Sequence, residues 1–451
     1  ICTLSLFVLD LSTIIFAIFV YLFGVFCIFI ASTNKDALNF VTYLKIYQII
    51  YMCGFIYIVF CYLYMVSNGY SYLLAWDIEN YFLPRVRELL DYGGILKAQS
   101  VNWENFNVFS RYQSGYFAYL IPFAYLSNYL SANLYVLMQF STLLIASFSG
   151  PLIYRLLCVN NIESRKSYKY TLIICLFSII FFYSTQLLRD IQVMFLYLLG
   201  IYLTFNKDFL FANLFKIFLV IFASCTLRIE TGLFLFILVP IYLISSVQKS
   251  RKKNIAILFS GVVSVILLVI VFLNFNEISN ILDNNSEVYF ESDKGDGLIG
   301  NLQKIPVIGS LLAIFYNAIQ PLPFWGYFDA PIQDNRPQMY NIMTFPLFFS
   351  SLFNWFALFT IFIFVVSEKT RNLIKGKLDR TLVYHIILGF IFLYIQASVI
   401  DQRRLMAYYV IFYILAFIIF TYVSKRDKQM LILMSVSIYS IMQILAFLLK
   451  Y

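Results

Sequence analysis

Three short polar clusters interrupt an otherwise apolar chain, and each sets arginine beside a carboxylate: Arg189-Asp190, Arg228-Ile229-Glu230 and Asp401-Gln402-Arg403-Arg404. Guanidinium groups clamp phosphate or pyrophosphate bidentately, and a carboxylate held nearby can take the proton of an attacking hydroxyl. Together these residue types describe transfer chemistry on a phosphate-bearing substrate. A fourth polar stretch, at 67–112, adds Asp77, Tyr81, Arg85 and Arg111. Taken singly, each cluster is equally a pair of charges marking a helix end, Arg189 with Asp190 and Arg228 with Glu230, their long stems snorkelling to water. Three such clusters on one face favour function, because ordinary turns need no arginine and outer loops are poor in it.

The elements that position these residues are membrane spans. Of 451 residues, 62% are hydrophobic and only 12% charged, with a mean hydropathy of +0.82. Soluble domains carry about a quarter charged residues, so a water-facing globule is excluded. Stretches long enough to cross about 30 Å of hydrocarbon are read at 12–31, 46–66, 132–154, 171–187, 191–205, 211–226, 231–247, 255–273, 346–366, 382–400, 405–423 and 430–449. The predicted fold is therefore all-α: a polytopic transmembrane helical bundle of about 12 spans, forming one integral membrane domain over 1–451.

Charge orients the bundle. The loops 155–169, 249–253, 369–380 and 425–428 are rich in Lys and Arg and are assigned to the cytoplasmic side by the positive-inside rule. Alternation then puts the three clusters outside, together with both chain ends, an outer loop at 67–131 and a larger one at 274–345. Within the first, 115–130 reads as an interfacial helix, since Pro122 and the rings of Tyr116, Phe117, Tyr119, Phe123 and Tyr125 suit the headgroup level. Within the second, 305–325 reads as a re-entrant segment, a form tolerated only where protein or a watery cavity satisfies its backbone.

Other chemistries find little support. The net charge of +9 comes largely from short loops between spans and reports orientation, so no nucleic-acid partner is expected. Seven cysteines, mostly inside apolar stretches, show no metal-ligand spacing. His385 alone cannot build a zinc site and reads as a packed residue. Neither metal nor cofactor is expected. The 49 Phe and 36 Tyr suit lipid-facing packing, and tyrosines on the outer loops equally offer flat faces to sugar rings. The carboxylates of 274–344 read as a solvated surface.

The layout resembles the Wzy/EpsG-type polymerases of bacterial O-antigen and exopolysaccharide repeat units. Two N-terminal spans precede an outer D-x-x-x-Y element, Asp77-Ile78-Glu79-Asn80-Tyr81. Arg189 opens a span in Leu188-Arg189-Asp190-Ile191, and Arg404 precedes a tyrosine-rich span in Arg404-Leu405-Met406-Ala407-Tyr408-Tyr409. Where many such polymerases carry Phe-His-x-Ser/Thr, this chain has Leu227-Arg228-Ile229-Glu230-Thr231, so the family's acid/base assignment does not carry over.

The resemblance implies a multi-pass protein of the bacterial inner membrane that joins undecaprenyl-pyrophosphate-linked oligosaccharides at the periplasmic face. Its implied partners are the lipid-linked oligosaccharide substrate, membrane lipid, and a chain-length regulator and flippase. On this reading Arg189, Arg228, Arg403 and Arg404 hold pyrophosphate, Glu230 or Asp190 is the base, and Asp77, Tyr81, Arg85 and Arg111 shape the sugar site. The rival is a C-type membrane glycosyltransferase using a polyprenyl-phosphate sugar, with Asp77 catalytic. A lipid-linked sugar transporter stands lower, since no mid-membrane charges or paired half-helices are legible in the sequence.

Overall fold

The structure is a computed structural model that describes residues 11–32, 37–68, 81–101, 114–206, 210–247, 311, 314, 315, 318–320, 345–396 and 402–450. Among these residues there is no strand. The chain forms α1 (Leu11–Ala31), α2 (Ala37–Ser67), α3 (Leu83–Asp91), α4 (Ile95–Val101), α5 (Ser114–Leu130) and α6 (Leu134–Val159). It continues through α7 (Ser164–Phe177), α8 (Ile179–Ser184), α9 (Asp190–Phe205), α10 (Leu210–Leu227), α11 (Ile229–Leu235) and α12 (Leu238–Val247). The last elements are α13 (Phe345–Val366), α14 (Glu368–Ile374), α15 (Arg380–Gln396), α16 (Gln402–Tyr422) and α17 (Lys425–Lys450).

Six of these helices, α1, α2, α6, α13, α16 and α17, contain stretches long and apolar enough to cross a membrane. Four shorter apolar helices accompany them, at Asp190–Phe205, Ala212–Leu227, Thr231–Ser245 and Arg380–Tyr394. The protein is a multi-pass helical membrane protein. The span read at 255–273 lies outside the described residues. The span read at 171–187 is broken in two: Ser178 is extended (φ −90°, ψ 174°) and its side chain accepts from the Ile180 amide, capping α8. A serine hydroxyl competes with the helix ladder in this way, and without Gly or Pro nearby the break leaves little trace in hydropathy.

The core gathers on α6, which packs against α1, α2, α5, α7 and α9. Gly150 lies where α6 meets α2. A Cβ there would stand 2.6 Å from the Ile46 Cγ2 methyl and would also meet Ile50 Cδ1, so glycine leaves room for these side chains of α2. Tyrosine hydroxyls tie α2 to α1, Tyr51 donating to the Ala17 carbonyl at 2.8 Å and Tyr47 to Tyr21 at 3.1 Å. Such interhelical bonds and close contacts replace the hydrophobic drive that lipid cannot supply. Of the apolar stretch in α16, 78% is buried, against 22% in α17; α16 is therefore central and α17 forms the rim.

Two of the segments read as outer take definite places against the bundle. α5 is one helix despite Pro122 and doubles back along the start of α6, with Tyr119 Oη donating to the Ser141 carbonyl at 2.9 Å. Tyr116, Phe117, Leu120 and Ala124 face inward, while Tyr125 and Tyr129 are exposed. In the segment read as re-entrant, Leu311, Ile314, Phe315, Ala318 and Ile319 are helical, and side chains of the bundle hold its carbonyls. Asn354 Nδ2 donates to Ala318 at 2.8 Å, Tyr409 Oη donates to Ile314 at 3.3 Å, and Ser351 donates to Ile319. Tyr413 and Tyr439 support Asn354 and Ser351 from behind at 2.6 and 2.9 Å. Asn354 lies nine residues into α13, about 13 Å along it at 1.5 Å per residue, and the carbonyls of Ile314, Ala318 and Ile319 are met there by side chains of the bundle.

Candidate functional site

The turn between α8 and α9 and the joint between α10 and α11 bring two of the sequence clusters together. The first turn is short because its backbone closes on itself, Gln186 N donating to Tyr183 O and Leu188 N to Gln186 O. With its amide oriented to satisfy both ends, Gln192 donates to the carbonyls of Arg189 and Leu188 at 3.0 and 2.9 Å. Arg189 then stands at the N-cap of α9 and Asp190 in its first turn, where the helix dipole favours a negative charge. At the second joint Arg228 is extended (φ −157°, ψ 106°) between α10 and α11. Its amide donates to Ser224 O at 2.8 Å, and its carbonyl accepts from Gly232 N at 3.0 Å. Gly232 is needed there, since a Cβ would lie 2.6 Å from Cys225 Cα.

Across this gap Arg228 Nη2 donates to Asp190 Oδ1 at 2.6 Å, with side chains only 9% and 5% exposed. A charge-assisted bond this short is among the stronger ones available. Desolvation offsets much of the gain, but removing one partner from a buried pair typically costs about 3–5 kcal/mol. Arg189 is half-buried beside it.

Polar groups crowd around the pair. Tyr116, fully buried on α5, lies within electrostatic reach of Asp190 and Arg189 and next to Thr142 of α6. Gln139, one turn before Thr142, donates its amide to Thr185 O at 2.8 Å. Among the described residues the hydroxyl of Thr231 and the amide oxygens of Gln139 and Gln186 make no hydrogen bond, while the Tyr116 and Thr142 hydroxyls lie against one another. Leaving one such group unsatisfied costs about 1–3 kcal/mol, so a cluster of them marks a place completed by a hydroxyl-bearing ligand or by ordered water. Thr142 is eight residues into α6, about 12 Å along it from the α5–α6 turn.

Of the residues singled out in the sequence, Asp190, Arg228 and Arg189 converge here. Tyr81 stands one layer away, its ring 5.7 Å from Phe117, while Phe82 packs edge-on against Tyr116 at 5.4 Å. Arg85 pairs with Glu88 within α3 at 2.7 Å. Asp77 and Arg111 lie outside the described residues. So do the side chains of Glu230, in the first turn of α11, and of Arg403 and Arg404, in the first turn of α16. Tyr197 and Tyr408 meet edge-on at 5.5 Å, so α16 packs directly on α9. His385 is remote from this cluster, with Nε2 2.7 Å from Thr204 Oγ1.

Tyr116, Thr142, Gln139, Gln186 and Thr231 were not among the residues that sequence reasoning selected. Gln139 and Thr142 carried a signal, being polar residues one turn apart in an apolar span. Tyr116 carried none, being one tyrosine in an aromatic run. The chain matches no family model, no curated protein and no solved structure.

Proposed function

We propose that the chain is a membrane glycosyltransferase that polymerises undecaprenyl-pyrophosphate-linked oligosaccharide repeat units at the periplasmic face of a bacterial inner membrane, in a bundle of about 12 spans. The observation that carries this reading is the buried Asp190–Arg228 pair, set beside Arg189 among buried hydroxyl and amide groups. Hydroxyl-rich sugar suits such groups, and arginine suits pyrophosphate.

In this mechanism Arg189, with Arg403 and Arg404 at the head of α16, draws the donor pyrophosphate to the site. Arg228 shifts from Asp190 toward the same anion, which releases the carboxylate. The acceptor hydroxyl attacks the donor's anomeric carbon, the C–O bond to pyrophosphate breaks with its electron pair leaving on the lipid pyrophosphate, and Asp190 or Glu230 takes the hydroxyl proton. Arginine offsets the charge that grows on the leaving group.

A C-type glycosyltransferase using a polyprenyl-phosphate sugar draws support from the Phe82–Tyr116 contact, which brings the segment following Asp77 against the site. Loss of activity in chelator favours that reading. The transporter reading draws support from the interrupted helices at Ser178 and between α11 and α12. The distinguishing experiment deletes the gene in its native host and resolves surface polysaccharide on a gel. Collapse of the ladder to one repeat unit, rescued by wild type and not by Arg189→Ala, supports the polymerase. A surviving ladder whose units lack one sugar refutes it and supports the single-sugar transferase.

A further inference from the structure

The opposite face of the bundle carries a separate surface that neither the site nor its proposed chemistry uses. Three segments, 155–169, 368–380 and 425–428, hold twelve Lys and Arg against four Asp and Glu. The structure draws them together. Lys369 Nζ meets Asp427 at 3.2 Å, linking α14 to the start of α17. Lys428 and Lys166 lie within electrostatic reach of one another, linking α17 to α7. Lys377 stands 4.2 Å from the centre of the Tyr422 ring at the end of α16. Arg165, Lys166, Lys169, Arg371, Lys375, Lys377, Lys425 and Arg426 are all exposed. Two cations brought within reach of each other repel, and the acidic residues present are too few to balance the patch.

The patch has a second property. Directly beside it, Phe362, Val365 and Val366 at the end of α13 and Met430 and Leu433 in the first turns of α17 expose their apolar side chains. Arg371 donates to the Val365 carbonyl, fixing the cationic helix α14 against this apolar edge. A ligand that satisfies both halves needs an anionic head and a hydrocarbon tail in continuity. An acidic protein segment matches the cations alone.

We propose that this basic face is a binding site for anionic phospholipid, with the phosphate head held among Lys166, Lys377 and Arg426 and the acyl chains lying along α13 and α17. Losing three basic residues beside an anionic lipid surface is expected to weaken retention by about a hundredfold.

The test uses the full-length protein purified in detergent, with phosphatidylglycerol and phosphatidylcholine offered at equal concentration and the retained lipid counted by native mass spectrometry. Preferential retention of phosphatidylglycerol by the unsubstituted protein is expected, together with its loss in Lys166→Gln/Lys377→Gln/Arg426→Gln. The charge-keeping variant Lys166→Arg/Lys377→Arg/Arg426→Lys is expected to retain the preference. Thermal melting in phosphatidylcholine alone, unchanged across the three proteins, separates loss of binding from loss of fold. Equal retention of the two lipids by the unsubstituted protein overturns the proposal and leaves an acidic protein segment as the occupant. An undiminished preference in the glutamine variant overturns it as well.

Discussion

Asp190 and Arg228 are separated by 38 positions in the chain, yet their side chains meet at 2.6 Å and are almost closed to solvent. Each was legible as a charge beside a near neighbour, Asp190 with Arg189 and Arg228 with Glu230. The fold makes a pairing that crosses from α9 to the α10–α11 joint. If this pair is both a structural tie and part of a reacting site, stability and activity should separate under the right substitutions. Asp190→Ala or Arg228→Ala alone is expected to lower stability by about 3–5 kcal/mol. The double variant Asp190→Leu/Arg228→Met is expected to recover most of that stability and none of the transfer activity. Thermal melting in detergent and a transfer assay on the same preparations check both halves.

The Tyr116 hydroxyl is fully buried, with the Thr142 hydroxyl as its neighbour among the described residues. Tyr116→Phe should therefore change stability by no more than about 1 kcal/mol, because the fold loses at most the contact with the Thr142 hydroxyl. Transfer activity is expected to fall about tenfold if the hydroxyl meets substrate, with KM rising more than kcat falls. A variant that melts lower and turns over normally would assign Tyr116 to packing alone.

Gly232 faces Cys225, whose backbone N and Cα would crowd an added Cβ as closely as its Sγ and cannot move aside. Gly232→Ala is expected to destabilise by about 1–3 kcal/mol, as overpacked sites do. It should also reduce activity by disturbing the extended backbone at Arg228. Gly376, with nothing within 4 Å of an added Cβ but a φ of 80°, serves as a comparison: Gly376→Ala strains the backbone without crowding a neighbour and should leave transfer intact.

The segment around Ala318 depends on Asn354, which donates to its carbonyl while accepting from Tyr413. Asn354→Leu leaves that carbonyl and the Tyr413 hydroxyl without partners, which should cost about 1–3 kcal/mol for each. Faster protease cleavage within 274–344 in the variant, read by mass spectrometry, would show that this bond anchors that segment.

The membrane character and most of the helices were legible because hydropathy is a property summed over many residues; one misread position does not alter it. The helix breaks were less so. Ser178 ends a helix by a local hydrogen bond inside an apolar run, and the Phe236–Ile237 break falls one turn before Pro240, which has no N–H for the Phe236 carbonyl, a local signal that hydropathy does not read. For the site, Arg189, Asp190 and Arg228 stood out because charge at the edge of an apolar span is costly. Thr142, Gln139 and Thr231 did not, because a single hydroxyl or amide in a span is common and becomes telling only when others converge on it. Tyr116 was hidden among its aromatic neighbours, and only the hairpin of α5 with α6 separates it from them.

The most direct measurement reconstitutes the purified protein in liposomes with radiolabelled undecaprenyl-pyrophosphate-linked repeat units and resolves the products by length. A ladder of multiples of the repeat unit, with release of undecaprenyl pyrophosphate, is the expected result, and Arg189→Ala should slow its appearance by about 100-fold. Repeat units that cross the bilayer without lengthening, or a ladder that Arg189→Ala and Arg228→Ala produce at the wild-type rate, would contradict the proposal that glycosyl transfer takes place at the Asp190–Arg228 site.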